Sequence, residues 1–460
     1  MQERSCFHSP KAKDRPSSEP LRVVHPDAAG IDIGSRKHYV AVPPDRDHEP
    51  VRSFGCLTPD LHSMAKWLKR CGVMTAAVES TAVYWIPVMQ VLEEYGLEVY
   101  LVDAREAKNM PGRKTDVKDC QWLQQLHAHG MLTRAFRPAD AVCVLRSYWR
   151  HRKGLVEMAS MQIQLMQKSL EQMNLQLHKV LSDITGVTGM KILRAIVAGE
   201  RDSVVLAQMK HPLVKSSEEI IAKALTGDWR PEHLFTLQQA LELYDVYQQK
   251  IQNCDREIEA YMKTLESQGD PKSPPPRPTG KRRKNQVHFD LRKQLYTWTG
   301  VDITVLPGIN AMTAQTVLSE SGIDMSRFAT EKHYSSWLGL SPNHQITGGR
   351  VRKRRTRKVR NRAAAALRVA AQSLHKSKTA LGAYYRRMRA RLGPAKAITA
   401  TAHKLAILIY RMLKYGMDYV EQGQKTYEKQ YQQRKIQMLV KHAKQIGYNI
   451  VDPTSGEIVS

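Results

Sequence analysis

Asp32, Glu79, Asp116 and Asp119 are the side chains of this 460-residue sequence whose types and settings point most directly to chemistry. Asp32 sits in GIDIGS, Gly30 to Ser35, inside an apolar run. An ionised acid on a buried strand is costly unless it is paired or binds a metal. Glu79 closes a second apolar run, in AAVEST, and Asp116 and Asp119 lie three apart in GRKTDVKDC. At a helix start, that spacing turns both carboxylates toward one spot. Four such acids gathered together repel one another, and a hard divalent cation relieves the repulsion. Mg²⁺ takes oxygen ligands in octahedral geometry. Two such ions ~4 Å apart can activate a nucleophile and stabilise a leaving oxygen in phosphodiester chemistry. Taken singly, each motif is weak. A strand-borne DxG also approaches ATP phosphates in actin-like kinases, an Asp at a helix start serves as a cap, and Glu79 alone reads as an ordinary strand-end acid. Arg113, Lys114 and Lys118 beside the third motif suit phosphate contact or plain surface charge.

The partner implied by such a site agrees with the charge. The sequence carries a formal net charge of +27. No acidic residue falls between Glu331 and Asp418, a stretch that holds 21 Lys and Arg. Charges packed that densely repel unless phosphates neutralise them, so a polyanion is expected. The centre of the stretch, RVRKRRTRKVRNR, carries nine cations in thirteen residues: Arg350, Arg352, Lys353, Arg354, Arg355, Arg357, Lys358, Arg360 and Arg362. Contacts of this kind give affinity without reading sequence; a localisation signal has the same look. Downstream, Tyr384 and Tyr385 lie beside Arg386, Arg387 and Arg389, placed either to stack on bases or to fill a core. VLPGINAMTAQTVLSESG, Val305 to Gly322, reads as a hairpin followed by a helix, with Gly308 and Asn310 at the turn. Backbone amides there suit a phosphate, and Asn310 is expected in a left-handed conformation; a plain helix-entry turn is the simpler reading.

Several elements must hold these residues. Residues 1–22 are polar, carry no apolar leader, and are expected to be disordered. Residues 23–137 alternate strand and helix patterns: strands over 28–33, 38–42, 51–56, 76–78 and 98–102, with helices over 60–70, 83–95 and 117–129. Residues 138–268 read as helical. Leu237, Tyr244, Ile251, Ile258 and Leu265 recur every seven residues, a coiled-coil seam that pairs within the chain or across subunits. Residues 269–293 form a basic, Pro-rich linker, 294–423 a last mostly helical domain with one helix running from 363 to about 391, and 424–460 a polar tail. The six cysteines are scattered singly, without zinc spacing, and no apolar stretch reaches the length needed to span a bilayer. A cytoplasmic, nucleoid-associated protein is expected.

GIDIG, AVEST and GRKTDVKD, followed by VLPGINAMTAQTVLSESGID and WLGLSPNHQITGG, together resemble the DEDD transposases of bacterial insertion sequences, the bridge-RNA-guided recombinases. The likeness covers most of residues 28–415. It implies an α/β, ribonuclease-H-like (resolvase-like) N-terminal domain, a helical coiled-coil middle and a mostly α-helical C-terminal transposase domain. It also implies that Asp32, Glu79, Asp116 and Asp119 hold Mg²⁺, with two ions possible. The family's serine nucleophile precedes a glycine after the Gly-Leu-x-Pro segment. Thr347, before Gly348 and Gly349, stands at that position here. Threonine keeps the hydroxyl, but its methyl crowds attack, and either hydroxyl needs activation; Ser341 is the fallback. DNA ends and target, a structured guide RNA, and a homodimer or tetramer are the implied partners. A junction resolvase using water, a non-enzymatic nucleic-acid-binding protein and an actin-like ATPase are the rival readings.

Overall fold

The computed structural model describes residues 22–80, 82–103, 115–270, 272–276, 283–353, 355–357, 359–417, 429, 432–433 and 436–451. Two compact units divide at Arg137 and Pro138.

The first unit is a five-stranded sheet with helices on both faces. Its strands are β1 (Ala28–Ile33), β2 (Lys37–Ala41), β3 (Val51–Gly55), β4 (Thr75–Glu79) and β5 (Glu98–Val102), in the order β3-β2-β1-β4-β5. β2 runs antiparallel to β1 and β3, while β4 runs parallel to β1 and β5 parallel to β4. Strand alternation divides the faces. Ala29, Ile31, Ile33, Val40, Ala76 and Val78 bury into one core with α1 (Thr58–Arg70) and α2 (Trp85–Glu94). Leu61, Met64, Ala65 and Leu68 give α1 the apolar stripe that faces this core. Ala77 and Val102 face the other way, against Leu123 of α3 (Asp116–Ala128).

Glycine 30 fixes where α3 lies. A Cβ there would stand 2.3 Å from the Gln124 amide nitrogen and 2.4 Å from the Cys120 carbonyl, so only a bare backbone lets the helix press onto β1. Gly34 serves the turn into β2: its amide donates to the Lys37 carbonyl at 3.1 Å, and a Cβ would meet that carbonyl at 2.5 Å.

In the second unit, α4 (Asp140–Gln172) and α9 (Pro231–Thr264) pack antiparallel within the one chain. Tyr261 Oη donates to the Ala141 carbonyl at 2.9 Å, and Cys254 contacts the Tyr148 carbonyl. Leu237, Tyr244, Ile251 and Ile258 of the heptad seam are buried. Arg152 and Asp255 form a buried ion pair across the two helices; Arg152 also donates to the Asn285 carbonyl at 3.1 Å, and the His288 amide donates to Asp255 at 3.2 Å. At one end the two long helices carry a group of short helices, α5 (Leu177–Val180), α6 (Val187–Val197), α7 (Ser203–Gln208) and α8 (Glu218–Ala224). Backbone bonds from Gln176 to Ala224 and from Asp228 to Met173 close this group.

The remaining elements are α10 (Leu291–Thr299), α11 (Ala311–Ser321), α12 (Glu331–Trp337), the hairpin β6 (Gln345–Thr347) with β7 (Arg350–Lys353), α13 (Arg362–Ser373), α14 (Ala380–Leu392) and α15 (Pro394–Tyr415). The helix expected over 363–391 is two. A short 3-10 turn at Leu374–Lys376 ends α13, and the Thr379 hydroxyl caps the start of α14 by accepting from the Gly382 amide. Ser and Thr satisfy helix-start amides through their side chains, so the Lys-Ser-Lys-Thr segment restarts the helix rather than continuing it. α11 docks on α4: Arg150 forms two bonds to Glu320, Arg146 donates to the Ser319 and Glu320 carbonyls, and Trp149 donates to Thr316 at 3.0 Å.

Candidate catalytic site

Asp32 lies on β1 two residues after Gly30, so its side chain falls on the sheet face covered by α3. Glu79, last in β4, lies two residues after Ala77, which faces α3 as well. It stands one step beyond the last β1–β4 register pair, Ile31↔Val78, and so beside Asp32 at the carboxyl ends of two neighbouring parallel strands. That crevice is where α/β sheets place ligands.

The N-terminus of α3 supplies the other two acids. Thr115 is the cap, its hydroxyl accepting from the Lys118 amide at 3.3 Å. Neither Asp116 nor Asp119 caps the helix, and both occupy its first turn. One oxygen from each of Asp32, Asp116 and Asp119 lies within 4.8 Å of the others. Asp32 and Asp119 are half-buried and Asp116 is exposed. Three of the four expected acids thus share one spot; Glu79 is adjacent along the sheet but outside that mutual cluster. All donors are hard carboxylate oxygens, the set that suits a hard divalent ion and not a soft one. Cys120 is buried on α3, one turn beyond Asp116. Burial first, then the Asp32 and Asp119 charges, push its thiol up to about 12. The thiol donates to the Val117 carbonyl at 3.1 Å. Arg113 and Lys114 lie outside the described residues. Lys118 is exposed on the first turn of α3.

In the second unit, Thr347 is the last residue of β6 and pairs with Arg350, the first of β7. Gly348 and Gly349 between them have φ of 56° and 72°. Consecutive left-handed residues are what a tight hairpin turn demands, and glycine adopts them without strain. The two glycines therefore have a backbone role, while Thr347 is exposed at the hairpin tip. Ser341 is placed differently: half-buried, with its hydroxyl 2.8 Å from that of Ser335.

Gly308 has φ of 84°, and a Cβ on it would come within 2.9 Å of the Ala370 carbonyl. Asn310 departs from the left-handed expectation. Its φ is −104°, and its side chain caps α11 by accepting from the Thr313 amide at 2.9 Å. Capping needs an extended residue, and that requirement decides the conformation here. Arg350, Arg352, Arg355, Arg357, Arg360 and Arg362 are exposed. Arg357 donates to the Ser336 carbonyl at 2.9 Å, Arg362 begins α13, and Lys353 ends β7. Arg354 and Lys358 fall outside the described residues. Tyr385 is buried, a core aromatic, whereas Tyr384 is half-exposed with the Arg387 guanidinium 5.8 Å from its ring.

A model of DEDD transposases of the IS110 kind matches residues 29–175, and a second, described as Transposase IS116/IS110/IS902 family, matches residues 302–386. The chain belongs to the DEDD insertion-sequence transposases. It is an enzyme that acts on DNA. The first match contains all four acids; the second contains Gly308, Asn310, Thr347 and the arginine run. No individual curated protein matches this transposase at a significant level. No helix among its described residues is long and apolar enough to cross a membrane.

The seat of α3 was not anticipated, and the signal that could have found it is a glycine inside a core strand, Gly30. It is informative because a core strand loses packing at glycine unless another backbone approaches closely.

Proposed function

We propose that the transposase cleaves and exchanges DNA strands of an insertion sequence with Mg²⁺ held by Asp32, Asp116, Asp119 and Glu79, and with the Thr347 hydroxyl as nucleophile. The observation that carries the reading is the convergence of Asp32, Asp116 and Asp119 oxygens from two elements far apart in sequence. The three oxygens stand close enough for one divalent cation to touch them all, and the ligand set fits such an ion. Bound there, a divalent ion would supply charge neutralisation for a phosphodiester and its leaving oxygen. A sheet of order β3-β2-β1-β4-β5 with β2 alone reversed supports a ribonuclease-H-like reading of the first unit.

In the chemical step the Thr347 oxygen bonds to phosphorus, the bond from phosphorus to one deoxyribose oxygen breaks, and the threonine proton ends on that leaving oxygen. Exchange reverses the step with a different deoxyribose hydroxyl. Arginines of the 350–362 run would hold phosphates, and a structured guide RNA would choose the target by base pairing. Two DNA partners must be held together, which calls for a dimer or tetramer.

The test incubates full-length protein with the element's ends, its flanking RNA and Mg²⁺. Wild type should yield joined DNA and a protein–DNA adduct resistant to denaturation. Thr347→Ala should yield neither, Thr347→Ser should retain both, and Asp119→Asn should lose both. A junction-resolving reaction with water as nucleophile is the second reading. It is favoured by one observation: the glycines after Thr347 are fully explained by the hairpin turn. Cleavage by Thr347→Ala at the wild-type rate, with no adduct from either protein, would establish it.

A further inference from the structure

The sheet carries a row of polar side chains beside the carboxylates. In register, Asp32 of β1 stands directly opposite Tyr39 of β2, and Tyr39 opposite Ser53 of β3. Directly opposite residues of an antiparallel pair have Cβ atoms roughly 5 Å apart and share a face. Tyr39 therefore lies on the same face as Asp32, on the side away from Glu79. Lys37, two residues earlier on β2, shares that face as well. The neighbours on the opposite face behave otherwise: His38 and Val40 are buried. Across this level the sheet presents Ser53, Tyr39, Asp32 and Glu79 in a row, with α3 packed over β1 and β2.

Ser53 is exposed, whereas the place a side chain at Gly55 would take, opposite Lys37, is occupied by the Asp60 carboxyl group of α1. Tyr39 is half-buried, and its hydroxyl makes no hydrogen bond among the described residues. Lys37 is exposed and makes no ion pair among the described residues. An unused phenol donor and an unused ammonium beside a carboxylate cluster have complementary work to do once the cluster's charge is offset by cations. A phosphodiester brought to the acids has oxygens facing away from them, and these need donors.

We propose that Lys37 and Tyr39 hold the backbone of the cleaved DNA strand against the carboxylate site, Lys37 as the counter-charge to one phosphate and Tyr39 as the hydrogen-bond donor that orients the phosphate nearest Asp32. This rests on the reading of the carboxylates as the metal-dependent site. Both are positioning residues and neither takes part in bond making. The lysine acts through charge, so its loss removes one released counterion from the binding equilibrium. The tyrosine acts through geometry, so its loss falls on the rate with bound substrate.

The experiment uses full-length protein and a fluorescein-labelled duplex carrying the element's end. Affinity is measured against salt in Ca²⁺, and single-turnover cleavage at saturating protein in Mg²⁺. Mn²⁺ binding to the DNA-free protein is followed by electron paramagnetic resonance. Lys37→Gln should lower the salt slope by about one unit, and Lys37→Arg should restore it. Tyr39→Phe should slow saturated cleavage about tenfold with affinity unchanged. Both variants should bind Mn²⁺ like wild type. Unchanged slope in Lys37→Gln together with unchanged cleavage in Tyr39→Phe overturns the proposal. Loss of Mn²⁺ binding in either variant also overturns it, because the residue would then be shaping the acids and not holding DNA. Wild-type cleavage by Asp32→Asn would instead remove the metal-site reading, leaving the salt-slope result to be judged by itself.

Discussion

At the scale of single residues, the site depends on what is missing from position 30. Gly30→Ala drives a methyl into the backbone of Gln124 and Cys120, which no rotamer change relieves. The expected cost is about 3 kcal/mol, at the high end for overpacking. Because α3 carries Asp116 and Asp119, the same variant should weaken Mn²⁺ binding. Thermal unfolding and metal titration check this; a destabilised protein with undiminished Mn²⁺ affinity would contradict the link between them. His127 offers a second handle. It is buried on α3, with Nε2 2.9 Å from the Thr75 hydroxyl and its ring stacked on His25. Burial first, and the neighbouring His25 second, lower its pKa to about 4 from 6.5. As pH falls below 6.5 the unfolded chain takes up a proton that the folded one refuses, so stability contributed by neutral His127 is full above 6.5 and drains away down to about 4. His127→Gln should flatten that part of the urea-midpoint profile between pH 7 and pH 5. A profile as steep as that of wild type would show that other groups carry it.

At the scale of elements, the strands and helices of the first unit follow from alternation and apolar periodicity, and the expected segments lie within a residue or two of those observed. The acids at Asp32, Asp116 and Asp119 were legible as a group because each interrupts an apolar run or opens a helix, where a charge is either costly or dipole-favoured. Less was legible at the turn positions. Asn310 after Gly308 looked left-handed, yet side-chain capping of α11 outweighs that preference. The 363–391 segment is rich in helix formers on both sides of Lys376–Thr379, so its break depends on the short Ser/Thr stretch there and the cap by Thr379, which a periodicity taken over the whole segment hides. Pairing of α4 with α9 was open because a heptad seam does not say which helix it meets. The buried Arg152–Asp255 pair supplies a local answer within the chain. Truncating one partner strands a buried charge, so Arg152→Ala should lose about 3–5 kcal/mol. Arg152→Met with Asp255→Leu should recover most of it, as measured by chemical denaturation. The β6–β7 hairpin contrasts with this core. Ile346 is 62% exposed, so the hairpin contributes little to global stability. Gly348→Val forces a left-handed β-branched residue. It should leave the melting temperature unchanged while abolishing adduct formation.

At the scale of the molecule, charge sets behaviour. Of the cations between Glu331 and Asp418, Arg411 pairs with Glu331, and the arginines at 350, 352, 355, 360 and 362 form no ion pair among the described residues. A surface with that many unneutralised cations should bind DNA with steep salt dependence. Affinity should fall by about a thousandfold or more between roughly 50 and 200 mM salt. A shallow dependence in a gel-shift series would place the arginines outside the interface.

The antiparallel pair α4 and α9 is also a ruler. From Arg146, where α11 docks, to Met173, where the α5–α8 group begins, a helix rising about 1.5 Å per residue covers about 40 Å. Along duplex DNA at about 3.4 Å per base pair, that is about twelve base pairs, a little over one turn. Whatever the short-helix group touches is therefore set more than a helical turn away from anything held near α11. Removing a matched heptad from both arms would shorten that offset by about 10 Å, or three base pairs, and rotate the distant footprint around the duplex by about a quarter turn.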